Sequence, residues 1–230
     1  MLQKKGADYM TELYHLHLIG NRDDKWKENK EIIIDDSFIN RLGKKVNSFN
    51  DCTTNPQLDN ISNSLNTIFK YSGITSFSKM PLHLILDFVL DPRNNIDQKT
   101  QLEVLKEVRN LTFQAAIFKR ETAMENYRRD NNKNLPSRQH CIYATTEHGI
   151  KYWLDRITDG NIDIFRIDAL DEPFKTSEIF IPDESSNYKE MYDGSFRYWN
   201  PKFKNIPEET SEYLVKSKVK VLEKVDEIRR

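Results

Sequence analysis

The stretch that decides the fold is CIYATT at residues 141–146, followed directly by EHGIKYW at residues 147–153. The first segment alternates, so that Cys141 and Tyr143 would share one face, which predicts a short strand. Two threonines then stand where a helix N-cap is expected, and a helix is predicted over residues 149–157. Two other segments flank it at a distance in the sequence, residues 13–18 near the N-terminus and residues 212–215 near the C-terminus.

Strand patterns occur on both sides of this stretch. Residues 11–19 alternate between apolar and other side chains, the period of two expected of a half-buried strand. Short runs that also predict strands lie at residues 31–34, 138–144, 163–167, 212–215 and 218–225. The last two could pair as a hairpin, with Lys216 and Ser217 at its turn.

Helical spacing dominates the middle of the chain. Helices are predicted at residues 38–42, 61–69, 82–89 and 97–129. Residues 43–60 and 171–211 show neither periodicity and are expected to be irregular. The fold class expected is therefore α+β, a single domain over residues 1–230 with a mid-chain helical insertion at about residues 61–130.

Composition excludes several classes of protein. The 35 basic and 36 acidic residues give a net charge of −1, so no overall field attracts nucleic acid or an anionic membrane. Neither a signal peptide nor an apolar run of about 18 residues is evident. The two cysteines lack the spacing of a metal or redox motif. Together these observations predict a soluble cytoplasmic protein. With seven glycines and no glycine-rich loop, the sequence does not predict a P-loop or a Rossmann site.

Two histidines fall on one face of the first predicted strand. His15 and His17 are two residues apart, and a purely apolar sheet face would exclude both of them. They indicate a cleft wall, although His15 could also be a hydrogen-bonded core residue. Zinc would need further ligands, and the remaining histidines have no matching spacing, so no metal site is predicted.

A tyrosine pair and a glutamate have the residue types needed to cleave a nucleotide glycosidic bond. Tyr143 and Tyr152 could stack on the two sides of a planar ring such as nicotinamide. Glu212 begins a late strand; its carboxylate could hold a ribose hydroxyl and stabilise an oxocarbenium-like transition state, or could simply lie at the surface. Thr145 could support that carboxylate or cap the helix.

Basic residues allow two further hypotheses. Arg138, at the entry to the central strand, could reach a pyrophosphate or pair with a glutamate of the long helix, Glu121 or Glu125. The basic end of that helix, residues 119–133, could be a solvated helix terminus or a nucleic-acid patch.

At these residues the chain resembles the ADP-ribosyltransferase fold and, more narrowly, a group of bacterial proteins of unknown function assigned to that fold. The matching segments are residues 13–15, 135–144, 152–153, 198–199, 212–215 and 218–225. The resemblance implies a split antiparallel β-sheet core. Two features depart from the family patterns. No glycine follows His15, so His17 could be the functional histidine. No Glu-x-Glu pair precedes Tyr213, and this absence disfavours transfer of ADP-ribose to arginine.

In the branch of this family with a His-Tyr-Glu triad, the resemblance implies a role for each residue. His15 would bind the adenosine-side ribose of NAD, Tyr143 and Tyr152 would enclose nicotinamide, and Glu212 would hold the nicotinamide ribose.

The function expected is NAD-dependent ADP-ribosyl transfer to a macromolecular acceptor, either a protein or a nucleic acid, with NAD as the substrate. A toxin-like role, with an antitoxin or regulatory protein as a further partner, fits a cytoplasmic bacterial or phage transferase. The alternatives are a catalytically inactive fold member that binds RNA or protein, and an enzyme that hydrolyses NAD without transfer.

Overall fold

A computed structural model describes residues 12–19, 26–50, 82–157, 160–200 and 206–229. The strands are β1 (Leu13–Leu18), β2 (Glu31–Ile33), β3 (Ile142–Ala144), β4 (Ile162–Ala169), β5 (Phe174–Ser177), β6 (Ser211–Val215) and β7 (Lys218–Ile228). The helices are α1 (Arg41–Asn50), α2 (Leu82–Leu90), α3 (Gln98–Asn131), α4 (Glu147–Arg156) and α5 (Tyr188–Trp199). The predicted helix at residues 61–69 lies outside the described residues.

The strands form two antiparallel sheets. One has four strands in the order β1-β4-β7-β2, and the other has three in the order β3-β6-β5. The sheets meet where Tyr14 of β1 and Thr145, just after β3, exchange two backbone hydrogen bonds of 2.8 and 2.9 Å. The central stretch at residues 141–146 thus joins the sheets, and the α+β class is confirmed.

The chain divides into two compact units. The first runs to Gly43 and resumes at Thr122, and it contains both sheets. The second, Lys44–Glu121, is helical in the part that the structure describes, where α2 ends at a short 3₁₀ turn capped by the Asp91 side chain.

Apolar side chains pack on both faces of the three-stranded sheet. One face meets the four-stranded sheet in a cluster that includes Leu13, Ile32, Phe165, Val219 and Val221 from that sheet and Ile142, Ala144, Tyr213 and Val215 from the smaller one. The opposite face is covered by Tyr198 and Trp199 of α5 and by Met124 near the end of α3. On the four-stranded sheet, β1 and β4 pack against Ile150 and Leu154 of α4.

Three predictions about elements were wrong. Residues 171–211, expected to be irregular, contain β5 and α5, and α1 occupies residues expected to be loop. Helix α5 begins at a capping box in which the side chains of Asn187 and Glu190 bond each other's backbone N–H. Strands β6 and β7 do not form a hairpin, because residues 216–217 carry the chain from one sheet to the other.

Candidate functional site

A buried ion pair lies on the helix-covered face of the three-stranded sheet. Glu212, the second residue of β6, is 3% exposed, and Arg138, in the loop before β3, is 7% exposed. Arg138 Nη1 lies 2.8 Å from Glu212 Oε1. The hydroxyl of Tyr198, a fully buried residue of α5, also donates a hydrogen bond to Oε1. A buried carboxylate needs such partners, because desolvation alone strongly disfavours its charged form.

Tyrosine rings surround the guanidinium of this pair. The Arg138 guanidinium carbon lies 4.7 Å from the centre of the Tyr198 ring and 5.5 Å from that of the Tyr143 ring. Burial, above all, raises the pKa of Tyr198 well above its usual value, and the Glu212 charge raises it further. Tyr198 is therefore a neutral hydrogen-bond donor at physiological pH.

The backbone of Arg138 holds Tyr143. The Tyr143 hydroxyl donates to the Arg138 carbonyl oxygen at 2.8 Å, and Asn40 Nδ2 donates to the same oxygen at 2.6 Å. Arg138 thus contacts two of the predicted site residues at once, Glu212 through its guanidinium and Tyr143 through its carbonyl.

Tyr152 is anchored at a more open position on α4. Its hydroxyl donates to Glu178 Oε2 at 2.8 Å, and the Arg156 guanidinium lies 3.8 Å from the centre of its ring. Desolvation is the largest cause that raises the pKa of Tyr152 to about 12, followed by the bond to Glu178, and the charge of Glu212 contributes. The next residue of α4, Trp153, donates through Nε1 to the Ser211 carbonyl oxygen at 3.2 Å, so this turn of the helix lies beside the start of β6.

His15 and His17 form an aromatic cluster with Trp26 and Phe165. The Trp26 ring stacks on His15 with a centroid distance of 4.0 Å, and it lies 5.2 Å from the His17 ring. Phe165 is the cross-strand partner of His15 on β4, and its ring also stacks with that of Trp26. The two histidines share one face, as predicted, but the ring of Trp26 covers them.

The protonation state of His15 follows from its surroundings. Its Nδ1 lies 2.7 Å from the Tyr143 carbonyl oxygen. Burial lowers the pKa of His15 to about 3, so the ring is neutral at pH 7. Because a carbonyl oxygen only accepts, Nδ1 carries the hydrogen, and Nε2 is then a hydrogen-bond acceptor.

The two threonines after β3 differ in their bonding. The Thr145 hydroxyl donates to the Ser211 carbonyl oxygen at 3.0 Å and so ties β3 to β6. Thr146 is the N-cap of α4, yet its side chain makes no capping bond, and within the described residues its buried Oγ1 has no hydrogen-bond partner. Gly149 lets the helix approach this corner, because a Cβ there would lie 2.0 Å from Thr145 Oγ1.

A cleft of about 340 Å³ opens beside Thr146. Tyr213 and Lys175, paired across β6 and β5, line it and project from the sheet face opposite to Glu212. Lys175 forms an ion pair with Glu208 at its rim. This cleft is therefore distinct from the buried ion pair.

The structure brings together some of the predicted residues and places others elsewhere. Tyr143, Arg138 and Glu212 lie on one face of the three-stranded sheet, and Tyr152 lies on α4, which reaches the start of β6 through Trp153. For the guanidinium of Arg138, either a pyrophosphate or a glutamate of the long helix was predicted as partner; in the structure it bonds Glu212, and the pyrophosphate contact stays a prediction. Glu212 itself is buried, which corrects the expectation of a surface carboxylate.

Tyr198 was missed as a site residue by sequence reasoning. It was included only within residues 198–199, as a segment of the family resemblance, because nothing in its local pattern shows that its hydroxyl meets a carboxylate 14 residues away. The capping-box pattern Asn187-x-x-Glu190 was the signal that could have placed it on a helix.

The basic end of α3 is partly neutralised. Arg128 donates to both carboxylate oxygens of Glu125 and to the carbonyl oxygens of Lys133 and Leu135. Arg129 is exposed but pairs with the same glutamate. This pattern favours the helix-terminus interpretation over a nucleic-acid patch.

The described residues contain neither a candidate metal-binding cluster nor a helix that could span a membrane. Within the described ranges, no three side chains of the His, Cys, Asp and Glu types lie close enough together to hold a metal ion. None of the helices in the described part of the chain has the length and apolar character needed to cross a bilayer.

Comparison with known proteins adds a family assignment. The chain has no match among the curated proteins. A family model described as "Protein of unknown function (DUF2441)" matches residues 13–227, almost the whole chain. The chain therefore belongs to the DUF2441 family.

Proposed function

We propose that this protein binds NAD, cleaves its nicotinamide–ribose bond and transfers ADP-ribose to a macromolecular acceptor. The observation that carries the proposal is that Arg138 bonds both Glu212 and Tyr143, while α4, the helix of Tyr152, contacts the start of β6 through Trp153. These residue types are the ones that nicotinamide cleavage needs.

Glu212 would supply the electrostatic part of the reaction. Nicotinamide leaves through a transition state with positive charge on the ribose, and a fixed carboxylate stabilises that charge more than it stabilises the ground state. The guanidinium of Arg138, 2.8 Å away, favours the ionised form of Glu212 in a buried setting. Because Glu212 is only 3% exposed, the proposal requires side chains to rearrange and open the carboxylate to the substrate.

The two tyrosines would enclose the leaving group. Both rings are partly buried and both hydroxyls are already bonded, Tyr143 to a backbone carbonyl and Tyr152 to Glu178. Rings held at their hydroxyl ends could each offer a face for stacking on nicotinamide, which on Tyr152 would be the face not covered by Arg156.

His15 would accept a hydrogen bond from a ribose hydroxyl. A neutral ring with Nδ1–H donated to the Tyr143 carbonyl leaves Nε2 as the acceptor. The same bond links His15 to the strand that carries Tyr143, across the junction of the two sheets. Trp26 covers this ring, so it would have to shift when the second ribose binds.

The arrangement of the sheets gives general support. Two antiparallel sheets joined at β1 and β3 agree with the split-sheet core implied by the resemblance to ADP-ribosyltransferases. The acceptor would be a protein or a nucleic acid, and an antitoxin or other regulatory protein would control a toxin-like enzyme of this kind.

A titration of the purified protein with NAD tests the proposal, together with detection of released nicotinamide. Binding with release supports it. Accumulation of free ADP-ribose in the absence of any acceptor would instead indicate an NAD hydrolase. Absence of NAD binding, combined with salt-dependent binding of RNA, would refute the proposal and favour an interaction module.

A further inference from the structure

We propose that Arg138 and Tyr198 are positioning residues, which fix the carboxylate of Glu212 and, through the Arg138 backbone, the ring of Tyr143. This inference rests on the function proposed above and deepens it. Neither residue would contact NAD in this role; each would act through Glu212.

Two donors from separate elements converge on one carboxylate oxygen. Arg138 Nη1 and the Tyr198 hydroxyl both bond Glu212 Oε1, and they also bond each other. The guanidinium comes from the loop before β3 and the phenol from the last turn of α5. A carboxylate held from two directions in a packed core has little freedom to rotate.

The loop that carries Arg138 is itself fixed. Asn40 Nδ2 donates to the Arg138 and Cys141 carbonyl oxygens at 2.6 and 3.0 Å. The Tyr143 hydroxyl donates to the Arg138 carbonyl at 2.8 Å. A displacement of Arg138 would therefore move the carboxylate and the tyrosine together.

Tyr198 suits this role because it stays protonated. Burial raises its pKa, so its hydroxyl always has a hydrogen to donate to Glu212. Removal of the hydroxyl alone would leave the ring packed against Met124 and Trp199 but would free one side of the carboxylate. The expected loss is in the chemical step, since preorganised charge acts mainly on the transition state.

The experiment measures kcat and KM of nicotinamide release for Tyr198→Phe, with Tyr192→Phe as the matched control. Tyr192 lies on the same helix, and its hydroxyl bonds Asp130, away from the ion pair. We expect Tyr198→Phe to lower kcat by roughly tenfold or more with KM within about threefold, and the control to leave both constants unchanged.

Arg138 is tested by conservative replacement. Arg138→Lys keeps a positive charge near Glu212, whereas Arg138→Gln keeps only a hydrogen-bond donor. The Arg138→Lys variant should keep at least about a tenth of the wild-type kcat, whereas Arg138→Gln should fall below that level. Circular dichroism checks that each variant is folded.

The outcomes separate the two proposals. A wild-type protein that neither binds nor cleaves NAD would refute the proposed function. An active wild type whose Tyr198→Phe variant keeps its kcat, or changes only in KM, would refute the positioning role and leave the proposed function standing.

Discussion

Replacement of Glu212 by glutamine should destabilise the protein substantially. One of the two interpretations of the sequence placed this carboxylate at the surface, where its neutralisation would cost little. The structure instead buries Glu212 beside the Arg138 guanidinium and the Tyr198 hydroxyl. Glu212→Gln removes the negative charge that Arg138 Nη1 contacts at 2.8 Å in this buried setting.

The size of the effect follows from the burial of both partners. Removal of one partner of a buried ion pair costs about 3–5 kcal/mol. Glutamine keeps the shape of the side chain and an oxygen that can accept from Tyr198, so the lower end, about 3 kcal/mol, is expected. For a domain of this size that corresponds to a fall of about 6–12 °C in the thermal midpoint.

The change in the free energy of unfolding is measured by urea denaturation, with circular dichroism as the signal, in a double-mutant cycle. Glu212→Gln and Arg138→Gln should together cost less than the sum of the two single variants by at least about 1 kcal/mol, because each single variant already removes the ion pair that the other would break. Glu209→Gln is the matched control, an exposed glutamate near the start of β6, and should stay within about 0.5 kcal/mol of wild type. Additive single variants, or a Glu212→Gln protein as stable as the control, would refute this account of the ion pair.

Four further predictions concern the corner around β3 and the first strand. Gly149→Ala should lower the free energy of unfolding by about 1–3 kcal/mol, because the added Cβ would lie 2.0 Å from Thr145 Oγ1. Thr146→Val should be neutral or stabilising, since its hydroxyl has no partner among the described residues. Thr145→Val should cost about 0.5–1.5 kcal/mol, because it removes one of two donors to the Ser211 carbonyl oxygen and leaves Trp153 Nε1, at 3.2 Å, as the other. Because the pKa of His15 is lowered from 6.5 to about 3 in the folded protein, the unfolded chain binds one more proton than the folded chain between these pH values. The free energy of unfolding should therefore decrease as the pH falls through that window, and this decrease should be smaller in His15→Gln. In NAD titrations, His15→Ala should weaken binding more than His17→Ala.

Each of these has a control or an opposing outcome. Gly194, within α5, is the control for Gly149: the Cβ of Gly194→Ala would lie 3.6 Å from its nearest neighbour, Pro182 Cγ, so this variant should be neutral or slightly stabilising. Equal losses of stability at the two glycines would exclude the steric explanation. Equal effects of the two threonine variants would contradict the bonding described for them. An unchanged pH profile in His15→Gln, beside His148→Gln as an exposed control, would mean that His15 does not titrate as stated. The reverse ranking of His15 and His17 would assign the ribose contact to His17.

Periodicity predicted the strands that build the centre of the fold. The alternation at residues 11–19 and in the 141–146 stretch, and the apolar run at 212–215, correspond to β1, β3 and β6. Alternation reports burial of one face, which is a local property. It does not report which strands pair, so the jump from β6 to β7 between sheets was mistaken for a hairpin.

The candidate site was predictable only in part, for the same reason. Tyr143, Tyr152 and Glu212 were identified from residue type and element context. The partners of Glu212 come from positions 14 and 74 residues away, and no local pattern encodes either contact. Burial of Glu212 also escaped prediction, because a charged residue at the start of a strand is usually exposed.

The most direct test of the central claim is nicotinamide release from NAD by the wild-type protein beside Glu212→Gln and Glu209→Gln, each shown to be folded at the assay temperature. The account predicts release by the wild type and by Glu209→Gln, and its loss in Glu212→Gln. Undiminished release by a folded Glu212→Gln protein, or no NAD binding by the wild type, would contradict it.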